Sequence, residues 1–254
     1  MNKSSRPLTC WIIGASHGIG KALAYKYHKE GYNVIISARS KNDLKLIKSD
    51  LYQESNQVVD IAFDINDFTL FSKSCNSIIK KFKKIDLAIF CSAIYEQMDV
   101  FDFDIELAHK IFNTNFGGCL NFIKIITTQM QRQQFGHIAM IASVAGYFGL
   151  PNSLAYGASK AAMINLTEGI YSQLKRKNID LSLINPGFVD TRLTKKNKFS
   201  MPCIISQKEA ADLIFSGLKK KRFEIHFPLK FTLFLKLIKL LPYRALFYLT
   251  NKLL

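Results

Sequence analysis

Short apolar runs recur along the chain, and between them apolar residues return every three or four positions. The runs are residues 8–13 (LTCWII), 33–38 (NVIISA), 58–62 (VVDIA), 86–90 (DLAIF), 136–143 (GHIAMIAS), 179–184 (IDLSLI) and 223–227 (FEIHF). Runs of this length and apolarity predict strands buried on both faces. Helical spacing covers KALAYKYHKEG at 21–31, then 42–54, 67–82, 103–133, about 154–177 and 206–222. Strand and helix alternate throughout, so the pattern predicts an α/β fold of parallel strands with right-handed crossovers. In such a doubly wound sheet, ligands sit at the carboxyl ends of the strands.

The residues at those ends carry the candidate chemistry. The first strand runs into GASHGIG, with Gly14, Gly18 and Gly20 around Ser16, His17 and Ile19. Glycines there let the backbone turn sharply and approach a pyrophosphate, whose charge is favoured by unpaired amides at a helix start. A tight turn without a ligand has the same composition. The second strand ends in Ser37-Ala38-Arg39-Ser40, with no acid to hold a ribose 2′-hydroxyl. Arg39, with His17 as a second donor, points to a 2′-phosphate and so to NADP(H) over NAD(H). Asp64 ends the third strand, placed either to meet an adenine amino group or to cap the next helix. Cys91-Ser92-Ala93-Ile94 ends the fourth with small residues that leave room for a cofactor.

Ser143 ends the fifth strand, and Tyr156 and Lys160 follow at helical spacing, one turn apart on one face. A lysine ammonium beside a phenol favours phenolate, which predicts a tyrosine pKa below its usual value of about 10. A serine hydroxyl beside that acid could hold a substrate carbonyl, giving a proton-transfer site that needs a hydride donor. Alone, Tyr-x-x-x-Lys is a common spacing; its weight comes from its place among the other motifs. Asn113-Thr-Asn115 lies within a predicted helix that asparagine disfavours, so it bends the helix, holds water or faces solvent. Residues 188–205, with Pro202, read as an irregular lid.

Composition narrows the function classes. The 254 residues are 48% apolar, enough for one large core, and no uninterrupted apolar segment is long enough for a spanning helix. The basic start leads at once into the first strand and glycine turn, unlike a signal peptide. Cys10, Cys75, Cys91, Cys119 and Cys203 are scattered, in a pattern of reduced cytosolic thiols with no disulfide frame and no zinc site. The net charge of +16 is uneven: residues 192–254 hold fourteen Lys and Arg against three acids, a net +11. Such a region attracts phosphate-bearing partners, although lysine enrichment throughout the chain also serves simple solvation.

Taken together, GASHGIG, Asp64, Asn115 in TNFGG, Ser143, Tyr156-x-x-x-Lys160 and the run from Pro186 through Val189 to Thr191 resemble the short-chain dehydrogenase/reductase family. The resemblance covers residues 8 to about 227. It implies a Rossmann-type single domain and a tetrad in which Tyr156 is the acid/base and Lys160 lowers its pKa and holds the nicotinamide ribose. Ser143 would orient the carbonyl and Asn115 would support a water. It also implies that Gly14, Gly18 and Gly20 frame the pyrophosphate and that Thr191 reaches the carboxamide. Two positions depart from the family pattern. Ile13 stands where a threonine usually precedes the first glycine, and Phe90-Cys91-Ser92-Ala93 replaces Asn-Asn-Ala-Gly.

The resemblance leaves residues 228–254 unexplained. Pro242 divides this C-terminal extension into two amphipathic pieces bearing Lys236, Lys239 and Arg244 among aliphatic and aromatic residues. One reading lays them in a membrane interface, with lysines reaching headgroups. The other buries them against the substrate pocket or a second subunit. No nucleic-acid-reading motif is present, so nucleic acid is not an expected partner. The sequence thus predicts a cytoplasmic, homo-oligomeric NADP(H)-dependent oxidoreductase, peripheral to a membrane in the first reading of the tail. Its expected substrate is a small hydrophobic carbonyl compound or alcohol. The alternative is a catalytically silent, membrane-attached NADP(H)-binding sensor or scaffold.

Overall fold

The computed structural model describes residues 6–51, 56–197 and 201–251. Seven strands form one parallel sheet: β1 (Thr9–Ile13), β2 (Asn33–Ala38), β3 (Val58–Ala62), β4 (Leu87–Phe90), β5 (Gly136–Ile141), β6 (Ile179–Pro186) and β7 (Glu224–Phe227). Their order is β3-β2-β1-β4-β5-β6-β7, so the winding direction reverses between β1 and β4, where a crevice opens. The helices are α1 (Gly18–Lys29), α2 (Lys41–Asp50), α3 (Phe68–Phe82), α4 (Ile105–Phe112), α5 (Gly118–Gln133), α6 (Leu154–Lys175), α7 (Gln207–Lys219), α8 (Leu229–Lys239) and α9 (Tyr243–Asn251).

The period-two geometry of a strand divides each apolar run between two cores. Trp11 and Ile13 of β1 join Phe71 of α3, Phe122 of α5 and Met163 of α6 on one face of the sheet. Cys10 and Ile12 join Leu23 of α1, Leu44 of α2 and Ile214 of α7 on the other. Every residue of β1 is therefore buried, which is why the run reads as continuously apolar. Trp11 meets Phe71 edge-on at 5.2 Å, a pairing worth about 1 kcal/mol beyond its buried area.

Three segments differ from the expectations. The single helix expected over 103–133 is α4, one turn of π-helix at Asn113–Gly117, and α5. The extra residue in that turn lets Gly118 seat directly on Ile65, where a Cβ would come within 2.8 Å of two side-chain carbons. The irregular stretch 188–205 contains a 3₁₀ turn at Thr194–Lys196 and a parallel bridge between Val189 and Ile205, while residues 198–200 lie outside the described residues. The helix expected to reach residue 54 ends at Asp50, and its last part is likewise undescribed.

The extension is packed on the sheet domain. Phe231 and Leu235 of α8 pack against the core, and Thr232 is fully buried with its hydroxyl 2.6 Å from His226 Nδ1 of β7. Among the described residues no helix is long and apolar enough to cross a membrane.

Candidate active site

The carboxyl ends of β1, β4, β5 and β6 line one cleft of about 730 Å³. Its floor near α1 is the glycine turn. Gly14 and Gly18 hold φ values of +91° and +57°, a left-handed backbone that other residues rarely adopt. Any side chain on Gly14 would strike the Ser92 backbone, and one on Gly18 would press on Thr191. Gly20 is not in the cleft wall. It lets α1 seat against the Gly14 carbonyl, so it supports the turn from behind and does not itself frame the cleft. The start of α1 carries no side-chain cap and no acid in its first turn, which leaves its amide end electrostatically open. Ser16, His17, Gly18 and Ile19 all face this space. A backbone cradle with an uncapped helix end fits a pyrophosphate.

The changed residues after β4 brace this cradle. The Gly20 amide hydrogen-bonds the Cys91 thiol, and the Cys91 amide donates to the Ile13 carbonyl at 2.8 Å. Cys91 thus holds the base of α1 where the family pattern has asparagine. Burial pushes its thiol up to about 11, so it acts as a neutral packing group.

At the β2 end, exposed Arg39 lines the cleft as expected. The strand end itself holds no acid, but the fold brings one near. Asp43, on the first turn of α2, also lines the cleft, with its carboxylate 3.7 Å from His17 Nε2. Its amide is capped by the Ser40 hydroxyl, which turns the helix start back over the strand end. Burial, then nearby Arg192, lower the His17 pKa, against the pull of Asp43. Asp64 is exposed and outside the cleft wall, and its carboxylate accepts from the Asn66 amide; the cap of α3 is Asp67, whose carboxylate accepts from the Leu70 amide. Phe63 and Ile65 line the cleft in its place.

Ala93, Pro186, Val189 and Thr191 complete the wall toward the reactive end, where Ser143, Tyr156 and Lys160 come together. Ser143 Oγ accepts from the Ala145 amide at 3.1 Å, which fixes the hydroxyl beside Tyr156, and the two side chains are hydrogen-bonded. Burial pushes the Tyr156 phenol up to about 12, only partly offset by Ser143. This reverses the expected direction. Lys160 is buried, donates to the Ile141 carbonyl at 3.0 Å, and sits 5.6 Å from the Tyr156 ring centroid. Its own pKa is lowered to about 8 by the same burial. Desolvation outweighs the attraction between the two groups because the ammonium is aimed at a carbonyl oxygen.

Asn115 does not line the cleft and does not face solvent; its segment interrupts the helix as a π turn. It is fully buried, its Oδ1 accepts from the Ile94 amide at 2.8 Å, and its Nδ2 donates to the Ile94 carbonyl and the Ser159 hydroxyl, each at 3.0 Å. Ser159 in turn donates to the Tyr156 carbonyl at 2.7 Å. Asn115 is therefore a positioning residue that ties the loop after β4 to the first turn of α6. Ser159 was missed in the sequence although it lies between Tyr156 and Lys160. Tyr95 was missed as well: its ring meets Tyr156 edge-on at 4.9 Å, and its hydroxyl donates to Asn197 at 2.7 Å. Lys196 pairs with Glu96 at 2.6 Å, so two contacts clasp the stretch after β6 to the loop after β4, beside Tyr156.

Comparison with known proteins agrees with this geometry. Residues 9–201 match the short chain dehydrogenase family. A "Dehydrogenase/reductase SDR family protein 7-like" of Drosophila melanogaster is 29% identical over 190 residues, 72% of this chain, and the match spans 57% of that relative's length. The crystal structure of a short chain dehydrogenase/reductase from Burkholderia phymatum, in complex with NAD, superposes with a TM-score of 0.84 at 20% identity, covering 93% of this chain and 94% of that one. An alcohol dehydrogenase from Thermococcus sibiricus, complexed with 5-hydroxy-NADP, gives a TM-score of 0.77 at 22% identity over 87% and 95% of the two chains. With a family match over most of its length, a parallel sheet in the order β3-β2-β1-β4-β5-β6-β7 and a serine, tyrosine and lysine gathered in its cleft, this chain belongs to the short-chain dehydrogenases.

Proposed function

We propose that the protein interconverts a carbonyl and an alcohol on a hydrophobic substrate, using NADP(H) in preference to NAD(H). One observation carries the reading: Ser143, Tyr156 and Lys160 line one end of a cleft whose other end is an uncapped glycine cradle. A nicotinamide dinucleotide bound along that cleft would supply or take up the hydride. The cradle of Gly14 to Ile19 would hold its pyrophosphate, and Arg39 its 2′-phosphate.

The reactive end then handles the proton. A substrate carbonyl oxygen accepts from the Ser143 hydroxyl, whose oxygen is already engaged by the Ala145 amide. Tyr156 donates the proton that this oxygen needs as it becomes an alcohol. A phenol held up at about 12 is fully protonated at neutral pH, which suits reduction. Lys160, with a pKa of about 8, still carries its charge at neutral pH and stabilises the tyrosinate left behind. Ile94 and Leu193 line the cleft and the Tyr95 ring lies beside Tyr156, giving the substrate apolar contacts.

The test is Tyr156→Phe, which removes the proton donor and keeps the ring. NADPH-dependent reduction of hydrophobic ketones and aldehydes is expected to fall at least about a hundredfold, the low end of acid–base contributions. NADPH binding, followed by its fluorescence, is expected to stay within about twofold. A variant that retains full turnover refutes the role of Tyr156. A wild-type chain that binds NADPH and oxidises it with no carbonyl substrate is the silent dinucleotide-binding protein.

A further inference from the structure

The outward side of α8 is apolar although it faces solvent. Leu229, Leu233, Leu237 and Leu240 are 51–80% exposed, while Phe231, Thr232 and Leu235 make the inward contacts. At helical spacing the four leucines fall within about 80° of arc. Lys230 and Lys236 border that stripe on its two sides, and exposed Lys239 lies further round, at the end of the helix. In α9, Tyr243 and Phe247 stack at 5.5 Å, both exposed, beside exposed Arg244. A helix apolar on both sides is a helix with something still to cover it.

We infer that the outer faces of α8 and α9 dock on an anionic membrane surface. The charge argues for lipid over a second copy. Residues 228–254 contain no acid, and Glu224 of β7, beside α8, is already taken by Lys236, Tyr147 and Asn185. A two-fold contact through this face would set Lys230, Lys239 and Arg244 against their own equivalents with nothing to neutralise them. A leucine stripe edged by lysines, next to exposed tyrosine, matches instead the boundary between acyl chains and anionic headgroups. Docking there also orients the cleft. Phe231 of α8 lies against Gly187, a wall residue of the cleft, so the cleft edge sits close to the lipid surface. The docking surface stands whether or not the catalytic reading above is correct.

The test is co-sedimentation of the full chain with vesicles of phosphatidylcholine, alone or mixed with phosphatidylserine. Pelleting is expected with the mixed vesicles and is expected to weaken with added salt. Removing Lys230, Lys239 and Arg244 one at a time as alanine should weaken partitioning about fivefold each. Leu233→Asp with Leu237→Asp should abolish pelleting, while the melting temperature and NADPH binding hold, because both side chains already face water. If the double variant loses its fold, the three alanine variants decide. A chain that stays in the supernatant with both vesicle types overturns the inference. So does pelleting that none of these substitutions changes, or a solution dimer that the leucine variant splits in the absence of vesicle binding.

Discussion

Arg39 and Asp43 stand together where the cleft meets α2, and they pull cofactor choice in opposite directions. A carboxylate favours a ribose hydroxyl and repels a 2′-phosphate, while a guanidinium does the reverse. Asp43 is half-buried, 3.7 Å from His17, while Arg39 is the exposed group at the β2 end. Arg39→Asp is therefore expected to move the NADPH-to-NADH ratio of kcat/KM toward NADH by at least about tenfold, or about 1.4 kcal/mol. An unchanged ratio would show that the 2′-phosphate is not read here. Arg39 was legible because strand ends are legible. Asp43 was not, because its approach depends on how the Ser40 cap turns α2 back over β2. The same limit applies to Lys160. Its spacing from Tyr156 was plain in the sequence, but its aim at the Ile141 carbonyl is set by β5, which no local pattern reports.

At the scale of elements, the π turn at Asn113–Gly117 carries a buried amide that joins the loop after β4 to α6. Asn115 satisfies both backbone groups of Ile94 and reaches Ser159. Asn115→Ala would leave the part-buried Ile94 groups and the buried Ser159 hydroxyl without this partner, and each buried orphan costs about 1–3 kcal/mol. The expected result is a loss of about 2–4 kcal/mol, seen as a lower denaturant midpoint at unchanged slope. A midpoint that does not move would mean that water replaces the amide without cost. The mid-helix asparagines marked this place, but helical periodicity through 103–133 hid the form of the break, since one inserted residue barely disturbs a pattern of apolar positions. The alternating strands and helices were easier to read, because burial on both faces marks a parallel strand by composition alone. The extension was legible as two amphipathic pieces. Which face each turned outward was not, because both faces of α8 are apolar.

Across the whole molecule, pH acts on stability through the amino-terminal side of the sheet. His137 opens β5 with its Nε2 2.9 Å from the Ser182 hydroxyl. Burial lowers its pKa to about 4, helped by Lys221 and opposed by Asp180. The unfolded chain binds this proton near pH 6.5 and the folded chain only near 4, so stability is complete above about 6.5 and declines as pH falls through that window. The decline attributable to this group is on the order of 2–3 kcal/mol. His137→Gln should flatten the stability profile between those values, as read by chemical denaturation at several pH values. A profile that stays as steep would place the proton elsewhere. The sheet order also governs how the molecule comes together. β1 is made before β4, yet it pairs with β4 as well as β2, and the Thr9 amide donates to Asp86, 77 residues further on. β1 therefore waits with one edge open until Leu87–Phe90 has been synthesised. Contacts this distant in sequence make this a slow-folding chain compared with a helical bundle of its size.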